Sequence, residues 1–348
     1  MFVVYILFLV LCVLLTQSRV KHKEVFIMIA CVVLAFGAGW RSMRWADTDA
    51  YVISFTQFTP SIADVTISSK PFGYSEMGFF YLSVLSKSIS SNVHIYLAIV
   101  AGLSMFFLYK SLRQYSIYPL VGLCAYIARF YLGRNLVQIR SGLAYLIVIW
   151  GIKYIQEKKF WHYLLLVWVA SLFHYSAWIA LPLYFISNWM KIRKWTIVVG
   201  LVIAFVIAAT MSNVLHAYVT DSLTDMNLAT TYVSKEYDKI AKGLANPMIY
   251  FQSFLLLSYT FLERRIAPLT PYYRVIRDGY FYSTLILIVF CSFSALSGRT
   301  STMFATLELS IIPSLIFLFN KRNRNIAFAI IGVALIAIMY MNIPAWYH

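Results

Sequence analysis

About twelve apolar runs, separated by short polar segments, constrain the fold of this chain more than any other sequence feature. A membrane-spanning helix needs about 20 mostly apolar residues, within a working range of roughly 17–25. The chain is 61% hydrophobic and only 12% charged. It therefore predicts an all-α, polytopic integral membrane protein with about 12 transmembrane helices. The runs lie at about 2–16, 25–40, 93–109, 117–132, 136–152, 160–174, 176–190, 195–215, 247–262, 279–297, 301–319 and 326–341.

The basic residues lie in short clusters between the apolar runs. The net charge of +16 could indicate nucleic acid, but such binding needs cationic side chains along one polar face. Clusters at the ends of spans are typical of membrane proteins, so we expect the lipid bilayer and no nucleic acid among the partners. The four cysteines fall inside apolar runs and predict small buried side chains. No Cys/His cluster marks a dedicated metal site, and no Gly-rich phosphate loop supports an ATP-driven or hydrolase function, so we expect no resident cofactor.

The segment 76–90 decides the topology, because it is either a further span or an interfacial or re-entrant helix. If it does not cross, six basic clusters fall on one side: SRVKHK, KSLR, KYIQEKK, KIRK, ERRIAPLTPYYRVIR and NKRNR. If it crosses, the first cluster opposes the other five, so the positive-inside rule favours the first arrangement. We therefore expect a single transmembrane domain over 1–348 with extracytoplasmic termini. The extracytoplasmic loops, each with a loop helix, are expected at about 41–92 and 213–246.

Three arginines come within twelve residues, in the segment ARFYLGRNLVQIRSGLA. A charge in lipid costs at least about 2.5 kcal/mol, so each arginine needs a partner, water or a role. The planar donor fork of arginine suits phosphate oxygens, which makes Arg129, Arg134 and Arg140 candidates for binding phosphate or pyrophosphate. The alternatives are that Arg129 extends to lipid headgroups and Arg134 is an ordinary loop charge. Arg140, expected about one turn inside a span, fits such an alternative less well.

Other ionisable residues also lie near span ends. His174, in SLFHYSAW, could transfer a proton at neutral pH or could be an ordinary hydrogen-bonded interfacial residue. Glu308, expected about two turns inside a span, is a candidate site residue by its depth, with a buried ion pair to an arginine as the alternative. Asp47, Asp49 and Glu76 lack the local spacing of a metal cage, although an ion shared with a bound pyrophosphate stays an alternative.

Five fragments, in order over roughly residues 37–320, resemble the EpsG-like membrane proteins, which are often grouped with the Wzy polysaccharide polymerases. RWADTDAYVISF is similar to the family signature R-x(2,3)-D-T/Y-x-x-Y-x-x-x-F, and EMGFFYLSVL to an E-x-G-F segment. IRSGLA resembles a helix start I-R-q-g-L-A, FHYSAWIALP an F-H-x-S element, and GRTSTMF a later element with one arginine. The chain departs from the family at Ser141, often a glutamine, and in ADTD, where a glycine often precedes the aspartate.

The resemblance implies a GT-C-like glycosyltransferase that joins undecaprenyl-pyrophosphate-linked oligosaccharide repeat units into an O-antigen, capsule or exopolysaccharide. It implies metal-independent action at the outer face of the bacterial cytoplasmic membrane. A sugar hydroxyl attacks the anomeric carbon of the growing chain, and undecaprenyl pyrophosphate leaves. A chain-length regulator is a further partner that such a polymerase could have.

The resemblance also assigns roles to the candidate residues. His174, Asp47 and Glu76 are the catalytic candidates, and Tyr51, Arg41 and Glu308 are the substrate-binding candidates. The candidate pyrophosphate ligands are Arg140, Arg134, Arg44 and Arg299. Asp47 could orient Arg44 or a sugar hydroxyl, and Tyr51 and Phe55 would share its face of a helix. The alternative for this stretch is an ion-pair network that only seats the loop.

Two other functions remain open on the sequence. A flippase or transporter of lipid-linked sugars should show internal repeats and charges near the membrane midplane. The sequence shows no repeat and collects its unusual charges at one predicted face. Another GT-C-type transferase or ligase would share the lipid donor and the arginine chemistry, so the sequence separates it poorly from a polymerase.

A topology reporter fused after Lys110 tests whether 76–90 crosses the membrane. We expect a cytoplasmic signal, because the basic cluster KSLR should stay inside. A fusion after Lys21 is the comparison: the same signal at Lys21 and Lys110 means that 76–90 does not cross, and opposite signals mean that it does. An extracytoplasmic signal at Lys110 would contradict the predicted topology.

Overall fold

The computed structural model describes residues 2–18, 21–66, 69–211 and 242–343. All regular elements within these ranges are helical, as the sequence predicts. The chain forms two compact units, Met1–Leu181 with Glu308–His348, and Pro182–Leu307. The single transmembrane domain stays a prediction. Most of the loop expected at 213–246, with the loop helix predicted there, lies outside the described residues.

The first unit is discontinuous in sequence, and its last helices return from the far end of the chain. Short π or 3-10 turns extend several of its helices: Ser54–Phe58, Ile127–Tyr131, Tyr175–Ala180, Leu315–Leu318 and Lys321–Asn323. Its α-helices are α1 (Phe2–Gln17), α2 (Lys23–Gly39), α3 (Thr48–Ile53), α4 (Met77–Ile89), α5 (Val93–Tyr115), α6 (Pro119–Tyr126), α7 (Leu132–Asn135), α8 (Ile139–Gly151), α9 (Lys153–Gln156), α10 (Phe160–Ser171), α17 (Glu308–Ser314) and α18 (Arg324–Asn342).

The second unit is held together by a buried charge network. Asp278 accepts hydrogen bonds from Arg277 at 2.9 and 3.1 Å and from the Ser187 hydroxyl at 3.3 Å. Both residues of the Arg277–Asp278 pair are almost fully buried. The helices of this unit are α11 (Pro182–Trp189), α12 (Lys194–Thr210), α13 (Pro247–Phe261), α14 (Glu263–Ile266), α15 (Tyr273–Val289) and α16 (Ser294–Ala305). Helix α15, which carries the pair, packs against α11, α12, α13 and α16.

Two segments among the described residues are long and apolar enough to cross a membrane. They are α5, with 23 residues, and Lys321–Asn342, with 22. Five shorter apolar helices of 10–17 residues accompany them, and the count of about twelve spans stays a prediction. The four cysteines are free and buried, which confirms their reading as small apolar side chains.

The span predicted at 301–319 is not one continuous helix in the structure. Helix α16 ends at Ala305, where the Thr306 hydroxyl donates to the Thr302 carbonyl at 3.0 Å, and a side-chain bond of this kind competes with the helix ladder. Helix α17 starts at Glu308 and includes Pro313, which lacks the N–H that would continue the ladder. Glu308 therefore opens a helix, whereas the sequence predicted two turns of helix before it.

An aromatic-rich core joins four helices of the first unit, two of which carry the candidate residues Tyr51 and Arg140. Tyr51 and Phe55 meet the other core side chains between α3, α4, α5 and α8, and the rings of Phe55 and Tyr96 stack at 4.3 Å between centroids. Fully burying one large apolar side chain is worth about 1.5–3 kcal/mol, so this cluster fixes the four helices firmly. The buried members are Tyr51, Phe55, Phe79, Tyr96, Leu97, Val100 and Ile139.

Helices α2 and α5 touch closely at one end and separate further along. A Cβ at Gly39 would lie 2.6 Å from the Ala98 Cβ and 3.0 Å from the His94 carbonyl oxygen. One turn further along α5, a Cβ at Gly102 would meet no atom within 4 Å. An apolar groove of about 420 Å³ opens there, with Met28 and Gly102 in its lining.

Alanine substitutions at these two glycines should have opposite effects. In Gly39→Ala the new methyl overlaps Ala98, and overpacking costs about 1–3 kcal/mol of unfolding free energy. Gly102→Ala adds a methyl in open space and gains helix propensity of up to about 1 kcal/mol. The thermal midpoint of purified protein in detergent should fall for Gly39→Ala and hold or rise for Gly102→Ala. Equal midpoints for the two variants would contradict the packing described.

Candidate functional site

The first group of candidate residues surrounds Arg140, the second residue of α8. Its guanidinium pairs with the Glu76 carboxylate, which also accepts the Ser75 backbone N–H at 3.3 Å. The same guanidinium lies 5.9 Å from the ring centre of Tyr51 and 5.2 Å from that of Tyr74. The structure thus brings together three predicted residues, Arg140, Glu76 and Tyr51. It places Arg140 at the start of its helix, not one turn inside.

The start of α4 holds Glu76 in this position. A Cβ at Gly78 would lie 2.6 Å from the Leu172 Cβ, and the Phe79 N–H donates to the Leu172 carbonyl at 3.2 Å. Only glycine permits this close approach of two backbones. The Tyr175 hydroxyl reaches the Ser75 carbonyl at 3.5 Å, so the segment that carries Glu76 lies against the segment that carries His174.

Arg41 is buried beside this group. Its Nε donates to the Thr48 hydroxyl at 3.2 Å, and its Nη1 donates to the Asn135 carbonyl at 3.0 Å. Burial lowers the pKa of Arg41 to about 10 and raises the pKa of Tyr51 above its ordinary value. Arg41 therefore stays charged at neutral pH. Its hydrogen-bond partner Asn135 directly follows Arg134 in the sequence.

The second group surrounds Phe130, which lies in the π turn Ile127–Tyr131. The guanidinium carbons of Arg129 and Arg134 lie 5.3 and 5.4 Å from its ring centre. Arg129 forms an ion pair of 3.4 Å with Glu308, whose side chain is fully buried. This bears out the ion-pair alternative for Glu308. A π turn inserts one extra residue into a helix and is frequent at functional sites.

Arg134 is the least compensated charge in this part of the protein. The residue is 4% exposed, and neither Nη1 nor Nη2 has a hydrogen-bond partner among the described residues. Its guanidinium carbon lies 4.5 Å from the ring centre of Tyr145. Helix α8 packs directly on the Arg134 backbone, because a Cβ at Gly142 would lie 2.6 Å from the Arg134 carbonyl oxygen. A buried guanidinium of this kind calls for an anionic partner.

Tyr145 connects Arg134 to His174. The Tyr145 hydroxyl lies 2.7 Å from the Ser176 hydroxyl, which lies 2.6 Å from His174 Nδ1. The Tyr145 and His174 rings meet edge to face at 6.2 Å between centroids. His174 caps the 3-10 helix Tyr175–Ala180, so its backbone position is set locally.

The structure places two candidate residues of the Trp40–Phe55 stretch at its surface. Arg44 and Asp47 are both exposed, and no ion pair or hydrogen bond between their side chains occurs among the described residues. Asp47 has a left-handed backbone with φ of 60° and precedes α3, and its carbonyl accepts the Tyr51 N–H at 3.3 Å. Its role toward Arg44 or a sugar hydroxyl stays a prediction.

Arg299 is the one candidate site residue that belongs to the second unit. The residue belongs to α16 in the second unit, and its side chain lies outside the described part of the chain. Its role as a pyrophosphate ligand stays a prediction.

Positive charge exceeds negative charge across the two groups. Four arginines each have at least one buried guanidinium nitrogen without a hydrogen-bond partner among the described residues. The ion pairs found for them in those residues use two carboxylates, Glu76 and Glu308. No cluster of three or more His, Cys, Asp or Glu suited to a metal occurs in the described ranges. The arrangement suits an anion with several oxygens; its four arginines are Arg41, Arg129, Arg134 and Arg140.

Sequence reasoning missed the aromatic and hydroxyl residues that carry the contacts. Tyr74 lies two residues before Glu76, and Ser176 two residues after His174. The structure shows what the His-x-Ser spacing does here: the His174 ring accepts the Ser176 backbone N–H, two positions on. Nothing in the sequence marks Tyr145 or Phe130 among so many aromatic residues.

Comparison with known proteins gives one match. The model of the EpsG family matches residues 24–347, nearly the whole chain, which confirms the resemblance found in the sequence. No curated protein and no solved structure matches the chain significantly.

A double-mutant cycle at the Arg140–Glu76 pair should reveal strong coupling. Removing one partner leaves the other charge buried, which costs about 3–5 kcal/mol, so Glu76→Ala and Arg140→Ala should each lower the unfolding midpoint. The double variant should recover part of the loss, with a coupling of about 0.5–3 kcal/mol. The same cycle at the exposed Arg113–Glu24 pair should give less than about 1 kcal/mol and is the control. Strictly additive losses at Arg140 and Glu76 would contradict the pairing.

Proposed function

Because the chain belongs to the EpsG family, we propose that it is a membrane glycosyltransferase that polymerises undecaprenyl-pyrophosphate-linked oligosaccharide repeat units. The product is a surface polysaccharide such as an O-antigen, a capsule or an exopolysaccharide. The reaction takes place at the outer face of the bacterial cytoplasmic membrane, and the fold is of the GT-C kind. A chain-length regulator is a candidate protein partner.

The buried guanidinium of Arg134 is the observation that carries this proposal. It lies in a group of four arginines whose ion pairs use only two carboxylates, and both of its terminal nitrogens lack a partner among the described residues. A pyrophosphate supplies several anionic oxygens that match these donors. Charge that is bound in a preorganised, poorly hydrated site is stabilised without reorganisation.

The reaction places different demands on the two groups. A hydroxyl of one lipid-linked unit attacks the anomeric carbon of the growing chain. The bond between that carbon and the pyrophosphate oxygen breaks, and the oxygen keeps the electron pair. Arg134 and Arg140 stabilise the charge that develops on the leaving group. Glu76 holds Arg140 in place, as their ion pair indicates. The proton of the attacking hydroxyl needs an acceptor within hydrogen-bond reach, and the candidates are His174, Asp47 and Glu76.

The remaining candidate residues receive supporting roles. Tyr51 and Tyr74 flank Arg140 and offer ring faces to a sugar. Arg41 adds a buried charge beside Tyr51. Glu308 offsets the charge of Arg129, so we assign it to holding the arginine group together. Two further candidate ligands for the pyrophosphate are Arg44 and Arg299.

Chain extension by the purified protein tests the function. Incubation with its lipid-linked repeat unit should give a ladder of longer products. Arg134→Gln should lower the rate about 100- to 1,000-fold, the typical effect of losing one charge-stabilising donor. Arg134→Lys should restore only part of it, because an ammonium lacks the planar fork. Arg113→Gln, which removes an exposed arginine, is the matched control and should extend normally.

Each contrary result has a defined meaning. Movement of the lipid between leaflets without a ladder would indicate a flippase. A single transfer without repetition would indicate a ligase or a monosaccharide transferase. A wild-type ladder made by Arg134→Gln would remove Arg134 from the site.

A further inference from the structure

The hydrogen bonds around His174 assign the proton of its ring. Nδ1 lies 3.3 Å from the backbone nitrogen of Ser176 and 2.6 Å from the Ser176 hydroxyl. A backbone N–H only donates, so Nδ1 must use its lone pair as an acceptor. A neutral imidazole whose Nδ1 carries no proton has its single proton on Nε2.

The two neighbouring hydroxyl groups continue the chain of hydrogen bonds that ends at Nδ1. Because Nδ1 accepts, the Ser176 hydroxyl donates to it, and the Ser176 oxygen accepts the hydroxyl proton of Tyr145, 2.7 Å away. Tyr145 is itself held between two partners, since its ring contacts the Arg134 guanidinium on one side and the His174 ring on another. The tautomer of His174 is thus set by a short chain of donors, Tyr145 to Ser176 to His174.

We propose that His174 serves the polymerase as a hydrogen-bond donor from Nε2 to the substrate pyrophosphate, and that Ser176 is the residue that positions it. This inference rests on the proposed function. Arg134 and His174 contact the same tyrosine ring, and we therefore assign their donors to one anionic group. His174 neither gains nor loses a proton in the reaction. The hydroxyl proton goes to another acceptor, for which the Glu76 and Asp47 carboxylates are the candidates.

Substitution of His174 by the two amide residues separates a donor from a base. The Gln side-chain nitrogen stands as many bonds from Cβ as Nε2 does, and it donates without accepting a proton at neutral pH. The Asn nitrogen corresponds to Nδ1 instead. We expect His174→Gln to extend chains within about tenfold of the wild-type rate. His174→Ala and His174→Asn should fall about 100-fold, as for loss of one charge-stabilising donor.

Affinity for the leaving group gives a second readout. Undecaprenyl pyrophosphate should inhibit the wild type and His174→Gln at similar concentrations, whereas His174→Ala should need at least about tenfold more. A histidine that acts only as a base would leave this inhibition unchanged. Only variants whose thermal unfolding midpoint equals that of the wild type are compared, so that loss of folding is not mistaken for loss of a donor.

Ser176 variants test the positioning role. Ser176→Ala should lower the rate of extension and weaken inhibition by undecaprenyl pyrophosphate, and Ser176→Thr should restore both because it keeps the hydroxyl. Absence of this rescue overturns the role of Ser176. The donor role is overturned if His174→Gln and His174→Ala extend chains equally slowly and undecaprenyl pyrophosphate inhibits both as it inhibits the wild type. Both results are distinct from a failure of the proposed function, in which the wild type itself makes no ladder.

Discussion

The free-energy cost of burying positive charge governs the first unit of this protein. An unpaired ion in a poorly hydrated interior costs several kcal/mol, and four arginines are buried or nearly so in this unit. Glu76 and Glu308 compensate two of them, and Arg41 is satisfied in part by a hydroxyl and a carbonyl oxygen. Arg134 contacts aromatic faces, which give weaker stabilisation. The Arg134 nitrogens without a partner among the described residues are the donors that, in the function proposed above, bind the pyrophosphate.

Aromatic side chains organise the charges that carboxylates leave unpaired. Phe130 lies against Arg129 and Arg134, Tyr145 against Arg134 and His174, and Tyr51 and Tyr74 against Arg140. A ring face attracts a cation while leaving its N–H groups available for another acceptor. The aromatic richness of the chain therefore has a local function besides packing and membrane anchoring.

The sequence predicted the helical class and the family, and it selected the residues that pair, because apolar runs and isolated charges are strong signals. Arg140, Glu76 and Tyr51 lie together, although they are distant in sequence, and their roles stay predictions. The sequence did not predict that Glu308 opens a helix or that Asp47 has a left-handed backbone. Both features depend on local backbone geometry, a helix start after Leu307 and a left-handed residue before α3, which hydropathy patterns do not encode. Tyr145 and Ser176 act through contacts that only three-dimensional placement shows.

The discontinuity of the first unit imposes an order on its biosynthesis. Arg129 leaves the ribosome long before Glu308, and the whole of Pro182–Leu307 is made between them. Until Glu308 follows, the Arg129 charge lacks the carboxylate that pairs with it in the finished protein, and α6 lacks the α17 helix that packs against it. A chain truncated within the second unit would therefore carry the Arg129 charge in its interior without the Glu308 carboxylate. Such an uncompensated buried charge distinguishes an unfinished chain from a finished one, and membrane quality control could recognise it.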